Sequence, residues 1–541
     1  MSYDPPSGPP PSGPPSGGAA ETLDSGDGAP RPSGRGRRTT VLAAVGAAAV
    51  VVAGGAAWAA WSFFATGAQP AEALPDSTIA YASVDLDPSG GQKIAALRTL
   101  SRFPAFDDVV GLDADDDVRR WIFDQMRDVV ACEGLDYDED VEPWLGDRFA
   151  VAAVDTGGEE PTPVFVLQVT DEDRAETGLS AIRECAGSED NGAWVIRDGW
   201  ALLAEDQDVV DGVADDAADA ALADDDDFRH WTDEAGDGGI VALYAAPEVG
   251  AVLAEELTSL DDLTTGGEIV PEEIVPEKSA QVLEDFGGAA ATLRFDDGGV
   301  ELEVAADAGA TGSVARGDAA GDAVASLPEG TVAALGLSLG DGWFDDLLSQ
   351  AAALSGRSAD ELVARANEEL GIDLPDDVET LAGEAIALAV DADFDPATLS
   401  LGLGEPGPEA SLGVGVKVLG DPDGIDGVLD KVRAVASGAD GGLLDSDAGD
   451  DAVAIGPDPD YRTRLLGDEG LGSTDAFEHV VEHRDDATAV LFLDVDGADW
   501  LSGLFGDDAE VRDNLEPLEA LGLNAWLDGD TTHAILEITS D

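Results

Sequence analysis

The chain predicts an α+β fold built twice: two tandem copies of a mixed or antiparallel sheet unit, helices on one face, after one N-terminal transmembrane helix. Three observations carry this. The stretch GLDYDEDVEPWLGDRFAVAAVD, Gly134 to Asp155, returns as GIDLPDDVETLAGEAIALAVD, Gly371 to Asp391, and the same order of segments surrounds both. Within each copy, short alternating apolar runs joined by turn residues are interrupted by stretches whose apolar residues recur at three and four. Ahead of both copies, Val41 to Phe64 runs without a charge behind Arg31, Arg35, Arg37 and Arg38.

The elements follow in order. Residues 1–38 open with MSYDPPSGPPPSGPPSGG, which has nothing to bury and reads as a disordered cytoplasmic tail with polyproline-II character, able to dock a proline-reading domain. Residues 39–66 hold the uncharged run, longer than the ~20 residues that cross a bilayer. The arginines precede it, and Trp58 and Trp61 sit near its far end. That arrangement predicts a single-pass cell-membrane protein with its N-terminus cytoplasmic and its bulk extracytoplasmic. A cleaved signal peptide has a shorter charged region and apolar core than these.

Copy one, 70–307, starts with LPDSTIAYASVDL at Leu74, and copy two, 324–541, with LPEGTVAALGLSL at Leu327. Helical stretches come next, then the repeated GxDxxxDVE segment feeding a strand, then a second strand (PVFVLQV and LGVGVKV). A helix opening on acids follows in both, as the helix dipole favours. WVIRDGWALLAED is a hairpin turning on Asp198 and Gly199. Phe228 and Phe477 each precede another strand, and two closing strands end each copy. Residues 308–323 are the connection between the halves, and TTGGEIVPEEIVPEK, from Thr264, is an insertion found in one copy alone.

The segments LPDSTIAYASVDLDPSGGQ and DVEPWLGDR resemble those of an actinobacterial family of single-pass membrane proteins known only as a domain of unknown function. The resemblance implies a location and a fold pattern over most of the chain after the anchor. It implies no catalytic residue.

Lys+Arg of 27 against Asp+Glu of 115 gives a net charge of −88, which repels nucleic acid and other polyanions. Both a salty exterior and a coding bias toward Asp, with four lysines in the chain (Lys93, Lys278, Lys417, Lys431), account for it. Cys132 and Cys185 are the only cysteines; their counterparts in copy two are Glu369 and Val435, so both thiols vanish together. Joint absence on the oxidising side of a membrane predicts a disulfide between them.

Candidate chemistry is weighed by whether the other copy keeps it. GLSLG around Ser338 has the form of a nucleophile elbow, but Ser338 corresponds to Asp85. HVVEH is the sharpest signal: His479 and His483 on one helix face would bind zinc, with Glu482 as base. Copy one reads HWTDE there, keeping His230 and replacing the second ligand by Glu234, so neither a metal nor any other cofactor is assigned. Acid clusters at Asp113, Asp391, Asp445 and Asp528 suggest calcium, yet none completes the EF-hand loop. The glycines of GVGVKVLGDPDG are absent from the matching PVFVLQVTDED, and Trp144 becomes Leu381, which marks core packing. The resulting expectation is a non-enzymatic binding or scaffold module at the cell envelope, with an unidentified envelope partner or ligand held in a cleft between the copies. A metal-dependent envelope hydrolase is the alternative.

Overall fold

The computed structural model describes residues 69–540 apart from 87–91, 110–116, 125–133, 186–191, 255–282, 310–315, 395–412, 437–441, 499–508 and scattered single positions. The tail and Val41–Phe64 lie outside the described residues, as do Cys132 and the IVPE insertion. Among the described residues no helix is long and apolar enough to cross a membrane.

Sixteen strands form one sheet, and every neighbouring pair is antiparallel. The first half supplies β1 (Thr78–Asp85), β2 (Leu145–Val154), β3 (Thr162–Val169), β4 (Ala193–Arg197), β5 (Trp200–Ala204), β6 (Val241–Ala245), β7 (Ala289–Asp296) and β8 (Gly299–Asp307). The second supplies β9 (Thr331–Leu337), β10 (Ala385–Asp391), β11 (Val414–Leu419), β12 (Ser446–Ala448), β13 (Ala452–Ile455), β14 (Ala487–Asp494), β15 (Leu518–Asp528) and β16 (Thr531–Ser540). Their order across the sheet is 4-5-3-2-1-6-7-8 followed by 16-15-14-9-10-11-13-12. The second series is the first reversed.

This corrects the expected α+β arrangement of two mixed or antiparallel units, each with helices on one face. The halves merge through β8 and β16, whose register runs from Thr531 opposite Asp307 to Thr539 opposite Gly299. Gly299 and Thr531 each open a strand after a two-residue turn, so they are equivalent positions. The ladder is therefore symmetric about the pair Ile535 and Glu303. The physical cause is the edge: each half ends on a long strand with unpaired backbone groups, and pairing equivalent strands removes both edges at once. The halves are thus joined edge to edge by a continuous ladder.

Helices cover both faces, a second correction. On the front face, α4 (Gln207–Asp219) and α5 (Asp226–Glu234) bring Val210, Val213 and Trp231 onto Tyr81, Ala150, Ala152 and Val166. In the second half α6 (Ala320–Ala325), α11 (Pro459–Leu465) and α12 (Asp475–Val480) do the same for Ala334, Ala387, Ala389 and Phe492. Asp225 and Thr474 cap α5 and α12 by accepting the N–H of Phe228 and Phe477 at 2.8 and 3.3 Å. That fixes the two phenylalanines the sequence singles out.

On the back face, α1 (Gln92–Leu100) and α2 (Pro104–Val109) lay Ala96, Leu100 and Phe106 over Phe295, Val84 and Leu243. Next to them α3 (Glu172–Cys185) packs Ala175 and Leu179 on Trp144 and Val169. The second half differs. Its outer strands are covered by α10 (Pro422–Ala436) through Ile425 and Leu429. The main contacts of α7 (Trp343–Ser355), α8 (Ala359–Leu370) and α9 (Asp376–Ala382) include one another, with α7 against both α8 and α9. The last helix, α13 (Ala509–Leu515), meets α2 across the halves, where Asn514 Oδ1 accepts the Ala105 N–H at 2.8 Å.

Candidate functional site

The residues singled out in the sequence do not converge. α12 ends at Val480, and Val481 leaves helical geometry with φ −132° and ψ 72°. His479 and His483 therefore share no helix face, which corrects the i, i+4 geometry the HxxEH pattern requires; Glu482 lies between them, exposed. The His483 ring instead stacks on Trp526 at 4.3 Å, and Trp526 stacks on His533 at 5.0 Å. Ser338 is buried, its hydroxyl donating to the Glu384 carbonyl at 2.8 Å. Trp144 is buried too, its indole N–H donating to the Asp140 carbonyl at 2.6 Å. Cys185 closes α3 and is not a free thiol.

Three of the four acid clusters have a described member in an ion pair: Asp117, Asp391 and Asp447. Asp117 accepts from Arg119 at 2.9 Å and from the Tyr137 hydroxyl at 2.7 Å. Burial pushes its carboxyl up, but those two hydrogen bonds, with the Arg119 charge and backbone N–H, together outweigh burial and hold it below the usual carboxylate range. Burial, then the bond to Asp117, pushes the Tyr137 phenol up. Asp391 lies 2.8 Å from Arg464, and Asp447 lies 2.9 Å from Arg462. Among the described residues no group of three His, Cys, Asp or Glu side chains is placed to hold a metal ion.

One concavity of about 560 Å³ opens in the first half, lined by Asp76, Asp155, Asp208, Asp216 and Asp219 around Val209. The helix N-caps Asp206 and Asp458 align α4 with α11, which puts Val209 and Gly212 where the second half has Tyr461 and Arg464. The cleft is thus a place where the second half is filled and the first is not.

At the junction of the halves the two faces of the sheet differ in kind. The front carries charge. Arg294 binds Glu301 at 2.5 Å and also Glu303, while His533, buried, reaches Glu234 of α5 at 3.4 Å. On the back, every position of β9, β10, β14, β15 and β16 that is paired in register with the leucines is uncharged, Glu519 in the bulge of β15 standing outside that register. A row of directly opposed leucines crosses six strands, Leu388, Leu335, Leu491, Leu523, Leu536 and Leu302. At ~4.8 Å per strand that row is about 24 Å long.

None of those six leucines is buried, and Leu335, Leu388 and Leu491 are 39, 38 and 38 % exposed. Scattered exposed leucines are ordinary; a contiguous apolar patch marks an interaction surface. Covering each would gain on the order of 1 kcal/mol, since full burial of a leucine is worth about 1.5–3 kcal/mol and much of each is already shielded by its neighbours. The register aligns Leu335 and Leu337 with Ala82 and Val84, and Leu388 with Val151. At these three positions the sealed half has alanine or valine where the open half has leucine, while Leu491 keeps a leucine counterpart, Leu243.

Sequence reasoning passed over these leucines. The available signal was apolar residues at both parities in VAAL, Val332 to Leu335, and VLFL, Val490 to Leu493, which ordinarily mean a strand buried on both faces. What distinguishes an uncovered face is the position of α7 and α8, and no local pattern encodes that.

A family model described as "Protein of unknown function (DUF3352)" matches residues 42–402. No curated protein matches the chain. A solved structure, crystal form III of TP0453, aligns at 8 % identity over 45 % of this chain and 81 % of that one, with a TM-score of 0.22.

Proposed function

From the premise that the chain belongs to the DUF3352 family of proteins of unknown function, we propose that it is a non-enzymatic binding module of the cell envelope, taking an apolar ligand on the back of its second half. The uncharged, uncovered leucine row carries this reading. In a chain of net charge −88, five adjacent strands present an apolar leucine face, and apolar walls with few polar groups are how small-molecule sites are built.

Attachment to the membrane is part of the proposal, through Val41–Phe64 in a single pass with the arginines on the cytoplasmic side. The Cys132–Cys185 bond belongs to it as well, supported by the bonded state of Cys185. Such a bond suits an oxidising exterior. The histidines of the HxxEH segment have no part in it.

The test is binding of the environment-sensitive dye anilinonaphthalene sulfonate to the full chain in nanodiscs. The expected outcome is dye fluorescence lost in the Leu335→Gln, Leu388→Gln, Leu491→Gln variant while circular dichroism is unchanged. Equal fluorescence in both proteins refutes the site. Protease accessibility of the folded part from outside intact cells tests the location.

A further inference from the structure

The geometry of the back face points to a specific class of occupant, and we propose that the leucine row holds the acyl chain of a membrane lipid. The proposal rests on the binding-module reading above and narrows it.

Three observations select this chemistry. First, the surface has neither charge nor a free hydrogen-bonding edge. Its strands β9, β14, β15 and β16 are interior to the sheet, so their backbone N–H and C=O groups are spent on their neighbours. An extended peptide docking there would leave its own backbone polar groups unsatisfied, at a cost of several kcal/mol per group buried. An alkyl chain has none to lose. Second, the dimensions agree. The row of about 24 Å is longer than the ~15 Å that one leaflet's chains occupy in a hydrocarbon core of about 30 Å. Third, the ligand is at hand. By sequence, four residues lie between Phe64, where the uncharged run ends, and Gln69, and four residues span at most roughly 13 Å, so the proposed anchor keeps a bilayer near the fold.

The halves supply the contrast. On the equivalent strands of the first half, Val84, Phe149 and Leu243 are sealed by Leu100, Phe106 and Val118. In the second half the corresponding helix α7 keeps Trp343, Phe344 and Leu348 only half-buried and Leu347 exposed.

The experiment uses the full chain reconstituted in phosphatidylcholine vesicles carrying a diazirine in one acyl chain. After photolysis, labelled peptides are mapped by mass spectrometry, and labelling within 41–64 is the internal control. The expected result is additional labelling of peptides containing Leu335, Leu388 or Leu491. It should fall several-fold in the Leu335→Gln single variant and further in the Leu335→Gln, Leu388→Gln, Leu491→Gln variant, with the control unchanged. Label confined to 41–64 overturns the lipid proposal. If the dye above still binds and is lost in the variant, the face takes another apolar ligand and the binding-module reading survives. If neither binds but deleting 395–412, with its Leu399, Leu401 and Leu403, restores the dye, the chain covers its own face and both readings fall. Crosslinked dimers in place of lipid adducts overturn the proposal in favour of a second copy of the chain.

Discussion

Asp85 and Arg148 lie 2.6 Å apart with side chains 2 and 6 % exposed, directly opposite each other on β1 and β2. Removing one partner strands a buried charge, so Arg148→Ala is expected to cost about 3–5 kcal/mol in urea denaturation. The register puts Ser338 and Ala385 at these positions in the second half. The Asp85→Ser, Arg148→Ala double variant therefore installs a neutral pair the fold already uses, and is expected to be more stable than the single one. Asp117 makes a separate prediction. Its pKa is depressed in the folded chain, so it contributes stability above the unfolded value near 3.9 that is lost as pH falls through the lower folded value. Asp117→Asn is expected to flatten that acid limb of a stability–pH profile and to leave its shape above pH ~5 unchanged. Comparing the copies sets Ser338 against Asp85 and Trp144 against Leu381, and both residues are buried. The leucine row could not be found that way, because exposure depends on what packs above it.

Among the elements, α12 approaches β15 so closely that a Cβ on Gly522 would lie 1.9 Å from the Val480 carbonyl oxygen. Gly522→Ala must push the helix off the sheet, and is expected to cost about 1–3 kcal/mol, read from a shift in the denaturant midpoint. Strand existence was legible throughout, from β1 to β16, because alternation and turn residues such as Asp198 and Gly199 are local signals. Sheet membership was not. β8 and β16 are over 200 residues apart in sequence, and an antiparallel ladder between them leaves no trace in either strand's own pattern. The same holds for helix placement: α5 and α12 carry readable caps, but nothing in either sequence says front or back. The HxxEH segment failed for a local reason, since α12 lasts six residues and stops before the second histidine.

For the whole molecule, net charge and the central ladder set the behaviour. With 115 acids against 27 bases, self-repulsion opposes folding until salt screens it. The Debye length falls from about 30 Å at 0.01 M to about 3 Å at 1 M, so the melting temperature is expected to rise over that range, by differential scanning fluorimetry. The ladder makes a different prediction for the separate halves. Pairing β16 with a copy of itself about Ile535 would set His533 opposite Glu537, whereas β8 paired about Glu303 sets like charges face to face. Residues 318–541 alone are expected to run as a dimer in size-exclusion chromatography, and 69–309 to resist dimerising at low salt. In the intact chain both strands belong to one polypeptide, β8 closing the first half and β16 the second. A contact that two separate molecules would have to find by collision is thereby held at an effective concentration on the order of millimolar. The assembled sheet is then indifferent to dilution, and a cell could carry very few copies of this protein with every one of them complete.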